Sequence, residues 1–427
     1  MLDIRFIRDN RKLVEENIKK KFQNDRIPLV HKLITNYERS LKIKTELDEL
    51  RHKRNVISEE INRLQKEKKD FSHKVKEAKE IPDRIKALEK EFQDISDINK
   101  QLLVKIPNIM HKSVPIGKDA SENKVIKKWG KIPKFSFSVK NHVQLAEGLG
   151  IVDFDSSAIT SGNGFYYLKN ELGLLNQALI RFTIDHLLKK KYTYIEPPLM
   201  IRRKVAEAAE DFEAFQSKIY KIEEEDLYLI PTSEHAILGM LAGKTIPEEE
   251  LPLKFFAYSM CFRKEVGSHG INEKGLWRTH QFNKVEQFIF CKPEDSWKYY
   301  DELQKNSEEL YQKLKIPYRI FECCSGDLGD WKAKSSDLEA YRPTTGKYEE
   351  VGSLSNCTDY QARDLNIKCV NSKGEKRVLH TLNNTAMATS RAMVVLLENY
   401  QQKDGSIKIP TLLQKYMGGM KKIGPVE

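Results

Sequence analysis

Residues Cys261–Phe288 read CFRKEVGSHGINEKGLWRTHQFNKVEQF, and the rest of the chain is best interpreted from this stretch. Its pattern predicts two strands joined by a polar, glycine-rich loop. The first strand is apolar and aromatic until Arg263 and Glu265, which alternation places on one face. Alternation along the second strand collects polar and aromatic side chains on one face, namely Arg278, His280, Phe282, Lys284 and Glu286.

Two interpretations of this face remain open from the stretch alone. Charged groups are buried in a protein only when they pair or meet a ligand, so the face could line a cleft that binds an anion beside a flat ring. The alternative is a ladder of salt bridges on an exposed antiparallel sheet.

Length and composition narrow the class of protein. A chain of 427 residues has room for two or three domains and a large core. Its net charge of +11 favours a polyanionic partner such as nucleic acid. The six cysteines show neither a disulfide framework nor metal-ligand spacing, which predicts reduced thiols and no zinc. No apolar run approaches the roughly 20 residues of a membrane span, so we expect a cytoplasmic protein.

The N-terminal part carries a heptad-like pattern. After a small helical segment at residues 1–36, apolar residues repeat at helical spacing over Ile43–Leu64 and again over Ile81–Leu102. This pattern predicts an antiparallel coiled-coil hairpin at about 37–106, within a domain that spans 1–112 and precedes a second domain at 113–427. Pro82 marks either the start of the second helix or a kink within it.

The predicted hairpin is basic near its turn and along one arm. A rod of this kind either acts as a spacer or oligomerisation element, or it contacts phosphates far from the rest of the protein. The residues proposed for phosphate contacts are Arg51, Lys53, Arg54, Lys66, Lys68, Lys69, Lys74 and Lys76.

Within the second domain, the sequence pattern predicts a helix at Leu168–Lys189 and a strand at Tyr192–Ile201. Pro197 and Pro198 interrupt that strand, which predicts an edge strand because proline cannot donate to a sheet ladder.

A polar junction follows at Thr232, Ser233 and Glu234, between an apolar strand and a helix. These residues predict either a helix cap or a small pocket in which hydroxyl and carboxylate groups hold an ammonium.

Two more polar segments lie towards the C-terminus. Tyr348–Arg363 is dense in oxygen donors of the kind that hold Mg²⁺ jointly with phosphates, or else it caps a helix that starts at Ser355 or Asn356 after an edge strand. His380–Tyr400 predicts a strand that runs into a helix, and Arg391 falls on the helix side that should pack. Arg391 is therefore either a snorkelling side chain or a phosphate clamp.

In order and spacing these segments resemble the seryl-tRNA synthetases of class II over nearly the whole chain. The helix and strand with Pro197-Pro198 resemble motif 1, FRKEVGSHG with RTHQFNKVE resembles motif 2, and TLNNTAMATSR with AMVVLLENYQ resembles motif 3. The segments PTSEH and EEVGSLSNCTDYQAR are similar to those of serine enzymes, and the hairpin that ends in IPNI is similar to the tRNA-binding arm. The motif sequences GSHG and NNTAMA are more similar to those of archaeal and eukaryotic members than to those of bacterial members. The zinc-dependent form of the enzyme found in some methanogens is not expected.

The resemblance implies an α+β fold, in which the coiled-coil domain precedes a class II catalytic domain built on an antiparallel sheet. It implies seryl-adenylate formation from serine and ATP with Mg²⁺, transfer to tRNA(Ser) and to tRNA(Sec), and a homodimer. The implied ATP-binding residues are Arg263, Lys264, Glu265, Phe282, Glu350, Val351, Gly352, Ser353 and Arg391. The implied serine-binding residues are Thr232, Ser233, Glu234, Arg263, Glu286, Asn383 and Thr385.

The resemblance also implies individual roles. Arg263 contacts the α-phosphate and the serine carboxylate, and Arg391 holds the γ-phosphate; together with Glu350 they are the expected catalytic residues. Glu265 binds the adenine amino group, and Phe282 stacks on the ring. The Mg²⁺ is expected on Glu350 and Ser353.

Selectivity is expected to come from the serine hydroxyl. Alanine would leave Glu286 unpaired, and a site of that kind rejects the analogue by roughly 10⁴.

One segment departs from the family pattern and two rival functions remain. The motif 2 loop at Gly270–Gly275 reads GINEKG where many relatives have GRDTRG, and this loop is expected near the tRNA acceptor end. The rivals are a binding protein that keeps the arm without catalysis, and a ligase that loads a carrier protein.

Overall fold

The structure is a computed structural model that describes residues 1–209, 216–266 and 274–424. The chain divides into two compact units, Leu2–Pro107 and Asn108–Glu427, the latter together with Met1. Most of the motif 2 loop, including Gly270 and Asn272, lies outside the described residues.

Leu2–Pro107 is built from helices. Their bounds are Ile4–Asp9 (α1), Arg11–Lys20 (α2), Ile27–Lys66 (α3) and Ser72–Leu103 (α4). Helix α3 has 40 residues, and at 1.5 Å per residue it is about 60 Å long. It begins at Ile27 rather than near residue 37, with proline in its first turn, where a missing N–H is not costly. Helix α4 begins at Ser72, so Pro82 lies inside the helix and does not start it.

The apolar seam between α3 and α4 follows the heptad pattern closely. The predicted seam residues that are buried together are Ile43, Leu47, Ile57, Ile81, Ile85 and Leu88. The apolar run predicted over Ile81–Leu102 also includes Phe92 and Ile98, but these two residues are 37% and 39% exposed. Ion pairs such as Arg39–Glu91 and Lys74–Glu60 join the two helices in an antiparallel register. The coiled-coil hairpin predicted from the heptads is thus confirmed.

An eight-stranded sheet forms the framework of the second unit. Its order is β1-β10-β11-β12-β15-β9-β8-β4, and every neighbouring pair is antiparallel except β4 with β8. The strands, in that order, are Lys124–Trp129, Tyr318–Glu322, Lys334–Arg342, Lys347–Thr358, His380–Ala388, Gln281–Cys291, Leu253–Phe262 and Thr193–Ile195.

Smaller sheets surround this framework. They pair β2 with β3, β5 with β6, β16 with β17, and β7 with β13 and β14. Their bounds are Val152–Asp153 (β2), Tyr167–Leu168 (β3), Met200–Ile201 (β5), Tyr228–Leu229 (β6), Thr245–Pro247 (β7), Lys368–Val370 (β13), Lys376–Val378 (β14), Ile407–Lys408 (β16) and Lys422–Ile423 (β17).

Helices cover one face of the sheet and leave room on the other. The described helices of this unit are His142–Gly148 (α5), Asp155–Ser161 (α6), Asn170–Lys189 (α7), Arg203–Ala209 (α8), Ser233–Leu241 (α9), Ser296–Lys313 (α10), Tyr360–Asp364 (α11), Thr389–Tyr400 (α12) and Thr411–Gln414 (α13). Helices α7, α10 and α12 pack on the central strands, and their apolar residues join the main core.

Several boundaries differ from the sequence prediction. Strand β8 ends at Phe262, so Arg263 and Glu265 follow the strand, and Glu265 has a left-handed backbone with φ of 50°. Ser355 and Asn356 lie inside β12, an interior strand, and the next helix begins at Tyr360. The helix-cap interpretation of this segment is therefore wrong. The edge position predicted for the strand before Pro197 is confirmed, because β4 ends the sheet.

Candidate active site

A cavity of about 600 Å³ lies on the face of the sheet that α7, α10 and α12 leave free. Alternate side chains of strand β9 point into this cavity, because Phe282, Lys284 and Glu286 all line it. Gln287 points the other way and its amide donates to Ser307 Oγ of α10 at 3.3 Å. Because Lys284 and Glu286 are 5% and 1% exposed, this face is a buried cleft and not an exposed ladder.

One end of the cavity combines two cations with aromatic rings. The Arg263 guanidinium lies 5.3 Å from the centre of the Phe282 ring, and its Nε donates to the Pro231 carbonyl at 3.2 Å. Arg278 Nη1 lies 3.4 Å from Glu265 Oε2, so Glu265 is held at the rim by a charged partner. This arrangement offers a ring face, a guanidinium and a carboxylate to a planar anionic ligand.

Arg391 closes the adjoining wall. Its Nη1 donates to the Glu350 carbonyl at 2.8 Å and lies 3.3 Å from Glu350 Oε1, and its guanidinium lies 5.5 Å from the Trp277 ring centre. The charge on Arg391 lowers the pKa of Glu350. Glu350 is therefore held as a carboxylate, while its side chain stays 47% exposed to the open cavity.

Strand β12 contributes consecutive residues of the wall. Val351 is buried in the main core, and Gly352 lies so close to β15 that a Cβ there would sit 3.2 Å from the Thr385 carbonyl. Ser353 lies opposite Asp337 of β11 in the sheet register. Burial and the charge of Glu350 raise the pKa of Asp337 to about 7. Together these residues offer several oxygen donors at one place.

The other end of the cavity is a hydrogen-bonded network around two carboxylates. Asn383 Nδ2 donates to Glu234 Oε2 at 2.9 Å and to Glu286 Oε1 at 3.2 Å. Glu286 Oε2 accepts from Thr385 Oγ1 at 3.2 Å and lies 2.5 Å from Lys284 Nζ. Glu286 therefore has three protein donors already. The expectation that Glu286 is left unpaired without a serine hydroxyl is wrong.

Thr232 serves as both cap and cavity wall. Its Oγ1 accepts from the Glu234 backbone N–H at 3.2 Å and from Lys284 Nζ at 2.7 Å. The helix-cap interpretation of this junction is thus confirmed, and Thr232 lines the cavity as well.

Two residues implied by the resemblance do not line the cavity. The side chain of Ser233 is fully buried at the first position of α9 and faces the protein interior. The ammonium of Lys264 lies 5.7 Å from the Tyr220 ring centre, although its neighbours Arg263 and Glu265 both line the cavity.

The lining also includes residues for which no role was predicted. They include Trp277, Lys332 and Asp337, together with Lys284. Lys284 stands on the predicted polar face of its strand, a signal that could have identified it. Trp277 and Lys332 lie in loops and Asp337 lies on β11, and their sequence context gives no signal of a binding site. These three residues reach the cavity only because of the fold.

Most basic residues proposed for phosphate contacts lie on the surface of the hairpin. Four of them pair with carboxylates: Arg51 with Glu89, Lys53 with Glu77, Lys69 with Glu67, and Lys74 with both Glu60 and Glu77. Arg54, Lys66, Lys68 and Lys76 are exposed, and among the described residues no ion pair is seen for them.

Within the described part of the chain, no helix is both long and apolar enough to cross a membrane.

Comparison with known proteins places this geometry in context. Residues 215–400 match the model of the tRNA synthetase class II core domain (G, H, P, S and T), and residues 1–110 match the seryl-tRNA synthetase N-terminal domain. A serine--tRNA ligase of Methanospirillum hungatei is 46% identical over 419 residues, which are 98% of this chain and 99% of the relative.

Two solved structures cover the whole chain. A seryl-tRNA synthetase from Pyrococcus horikoshii complexed with ATP has a TM-score of 0.95 and 43% identity, with full coverage of both chains. A cytoplasmic serine-tRNA ligase from Naegleria fowleri in complex with AMP has a TM-score of 0.90 and 32% identity, covering 100% of this chain and 99% of that one.

Proposed function

The chain belongs to the seryl-tRNA synthetase family, and from this premise we propose that it activates L-serine with ATP and transfers serine to the 3′ end of tRNA(Ser). The observation that carries the proposal is a single cavity with two chemically different ends. One end presents Arg263, Phe282 and Arg391, and the other presents Glu234 and Glu286. A nucleotide and an amino acid bound at these ends would meet within one cavity.

In the first step, a carboxylate oxygen of serine attacks the α-phosphorus of ATP. The bond from that phosphorus to the bridging oxygen breaks, and pyrophosphate leaves. Arg263 and Arg391 offset the negative charge that develops on the phosphate oxygens, so the rate comes from positioning and electrostatics. Phe282 would hold the adenine ring by stacking, and Glu265 would accept from the adenine amino group.

The oxygen donors of β12 fit a Mg²⁺ ion that is shared with phosphates. Glu350 and Ser353 both line the cavity, and these would hold the ion. No group of three or more His, Cys, Asp or Glu able to hold a metal is found among the described residues, which suits an ion that takes the rest of its ligands from phosphates and water. When bound, Mg²⁺ supplies charge neutralisation of the phosphates.

In the second step, a hydroxyl of the terminal ribose of tRNA attacks the acyl carbon of seryl-adenylate, and AMP leaves. No enzyme nucleophile is required. This fits the six cysteines, which are all buried.

We assign the serine ammonium to Glu234 and the serine hydroxyl to Glu286. Glu286 keeps three protein donors when the serine hydroxyl is absent. The complex with alanine therefore lacks only about one charge-assisted hydrogen bond that the complex with serine has. Such a bond contributes about 1.5–3 kcal/mol, which corresponds to rejection of alanine by about 10- to 100-fold.

The hairpin of α3 and α4 is proposed to contact tRNA phosphates, with Arg54, Lys66, Lys68 and Lys76 as the main contributors. This role is the basis for proposing tRNA(Ser), and tRNA(Sec) by family likeness, as partners. A homodimer is proposed through the edge strand β4 and the segment after it, where Tyr194, Leu199 and Met200 are exposed. We propose that the protein acts in the cytoplasm.

The decisive experiment is ATP–pyrophosphate exchange with each amino acid, followed by transfer to tRNA. Exchange that depends on serine, with transfer to tRNA(Ser), is expected. Absence of serine-dependent exchange would refute the function and favour a binding protein. Exchange without transfer to tRNA(Ser) would favour a ligase that loads a carrier protein.

A shortened hairpin tests the arm separately. Replacing residues 55–89 by a short turn is expected to leave pyrophosphate exchange nearly unchanged and to reduce tRNA charging by at least about 100-fold, because phosphate contacts supply most of such binding. Equal loss of exchange and charging would mean that the arm is a structural element.

A further inference from the structure

The ammonium of Lys284 lies inside the serine end of the cavity. Its Nζ is 2.5 Å from Glu286 Oε2 and 2.7 Å from Thr232 Oγ1. The Lys284 and Glu286 side chains are 7% and 1% exposed. A buried lysine that spans two walls of a binding site is more than a surface ion pair, because both of its partners face the ligand space.

Because both side chains are buried, Lys284 has a strong effect on the stability of the Glu286 carboxylate. A carboxylate at this depth loses its hydration and is stable as an anion only if donors and a counter-charge surround it. Thr385 and Asn383 supply two neutral donors, and Lys284 supplies the positive charge. Without that charge, the buried Glu286 carboxylate loses its counter-charge and one of its three donors, so its position towards an incoming hydroxyl is no longer held.

The Lys284–Glu286 ion pair also determines which chemical group of serine can bind to Glu286. A carboxylate with an ammonium 2.5 Å away has little net charge to offer a second cation. A neutral hydroxyl can still donate to it, since a carboxylate has about four acceptor sites. Among the described residues, ionisable groups near the pair include Glu234 on α9, Cys261 on the neighbouring strand β8, and Arg263 just after β8.

We propose that Lys284 is a positioning and specificity residue for the serine hydroxyl. Its ammonium holds the Glu286 carboxylate in place as a buried counter-charge and fixes the Thr232 hydroxyl in the same wall. This inference rests on the proposed function.

The test is Lys284→Met, which keeps the side-chain volume and removes the charge. We expect the serine KM in pyrophosphate exchange to rise about 100-fold at pH 7, with the ATP KM within about twofold of its original value. Lys284→Arg, which keeps the positive charge, should restore the serine KM to within about tenfold of its original value.

Lys254→Met is the matched control. Lys254 also pairs with a glutamate, Glu302, at 2.8 Å, but it does not line the cavity. Its serine KM should stay unchanged. If Lys284→Met does not fold, as judged by loss of ATP binding in calorimetry, Lys284→Gln serves in its place. It should show the same rise in the serine KM, because it also lacks the charge.

The double variant Lys284→Met with Glu286→Gln separates the charge from packing. Its serine KM should be no higher than that of Glu286→Gln alone, because Lys284 acts through the carboxylate that this substitution removes. Effects of the two substitutions that simply add would overturn the inference. So would a serine KM of Lys284→Met that matches that of the unmodified protein. If the unmodified protein shows no serine-dependent exchange, the proposed function itself fails and this inference fails with it.

Discussion

Gln361 is expected to control serine binding without touching serine, and Gln361→Met tests this. The Gln361 side chain is 1% exposed and all of its polar atoms are used. Its Nε2 donates to Glu234 Oε1 at 2.8 Å and to the Ala209 carbonyl at 2.9 Å, and its Oε1 accepts from Thr381 Oγ1 at 2.8 Å. The amide thereby fixes the carboxylate that we assign to the serine ammonium.

The expected magnitude follows from these three bonds. Methionine keeps the length of the side chain but removes the donor to Glu234, a hydrogen bond to a charged group that contributes about 1.5–3 kcal/mol. The serine KM should therefore rise about 10- to 100-fold, while the ATP KM should change by less than about twofold. The two neutral bonds that are lost, to Ala209 and Thr381, should lower the free energy of unfolding by about 2 kcal/mol.

The assay is steady-state ATP–pyrophosphate exchange with serine and ATP varied in turn, together with a thermal unfolding curve. Gln401→Met is the control, because Gln401 is also buried and its amide also makes three hydrogen bonds, to Lys140 and Glu398 backbone groups. The control should lose stability and keep its serine KM. A serine KM that is unchanged in Gln361→Met, or that rises equally in Gln401→Met, would refute the reasoning.

Two further predictions concern the nucleotide end and the pH dependence of stability. Phe282→Leu should raise the ATP KM in the exchange assay about 10-fold, since stacking of a base on an aromatic ring contributes about 1–3 kcal/mol; an unchanged ATP KM would rule out stacking there. Burial lowers the pKa of His186 and of His380 to about 4 each, so these residues take up protons on unfolding between about pH 6.5 and pH 4. Stability should therefore fall as the pH drops through that window, and His380→Gln should flatten the fall in a series of thermal unfolding curves; an equally steep fall in that variant would contradict it.

Part of the fold follows from periodicity, which is a local property. The heptads of α3 and α4 predict the buried seam because helical geometry alone brings every third and fourth residue to one side. Alternation along β9 likewise predicts that Phe282, Lys284 and Glu286 share a face. The quoted segments were also sufficient to identify the family.

Other features needed the tertiary structure, since they depend on which distant strands and loops become neighbours. From the sequence alone, Ser355 is as consistent with a helix cap as with a strand. It is a strand residue because it lies on β12, which pairs with β11 on one side and β15 on the other. Ser233 and Thr232 are adjacent hydroxyls, but Ser233 is fully buried as the first residue of α9, whereas Thr232, which caps that helix, lines the cavity.

The sequence by itself determined the hairpin, the polar face of the stretch Cys261–Phe288 and the family. Only the tertiary structure decided that Glu286 has three donors, that Gln361 supports Glu234, and that Asp337 faces Ser353. The physical reason is that a side chain's face is set by its own backbone. Its partners, in contrast, are set by the order of the strands, which brings together residues that lie far apart in the chain.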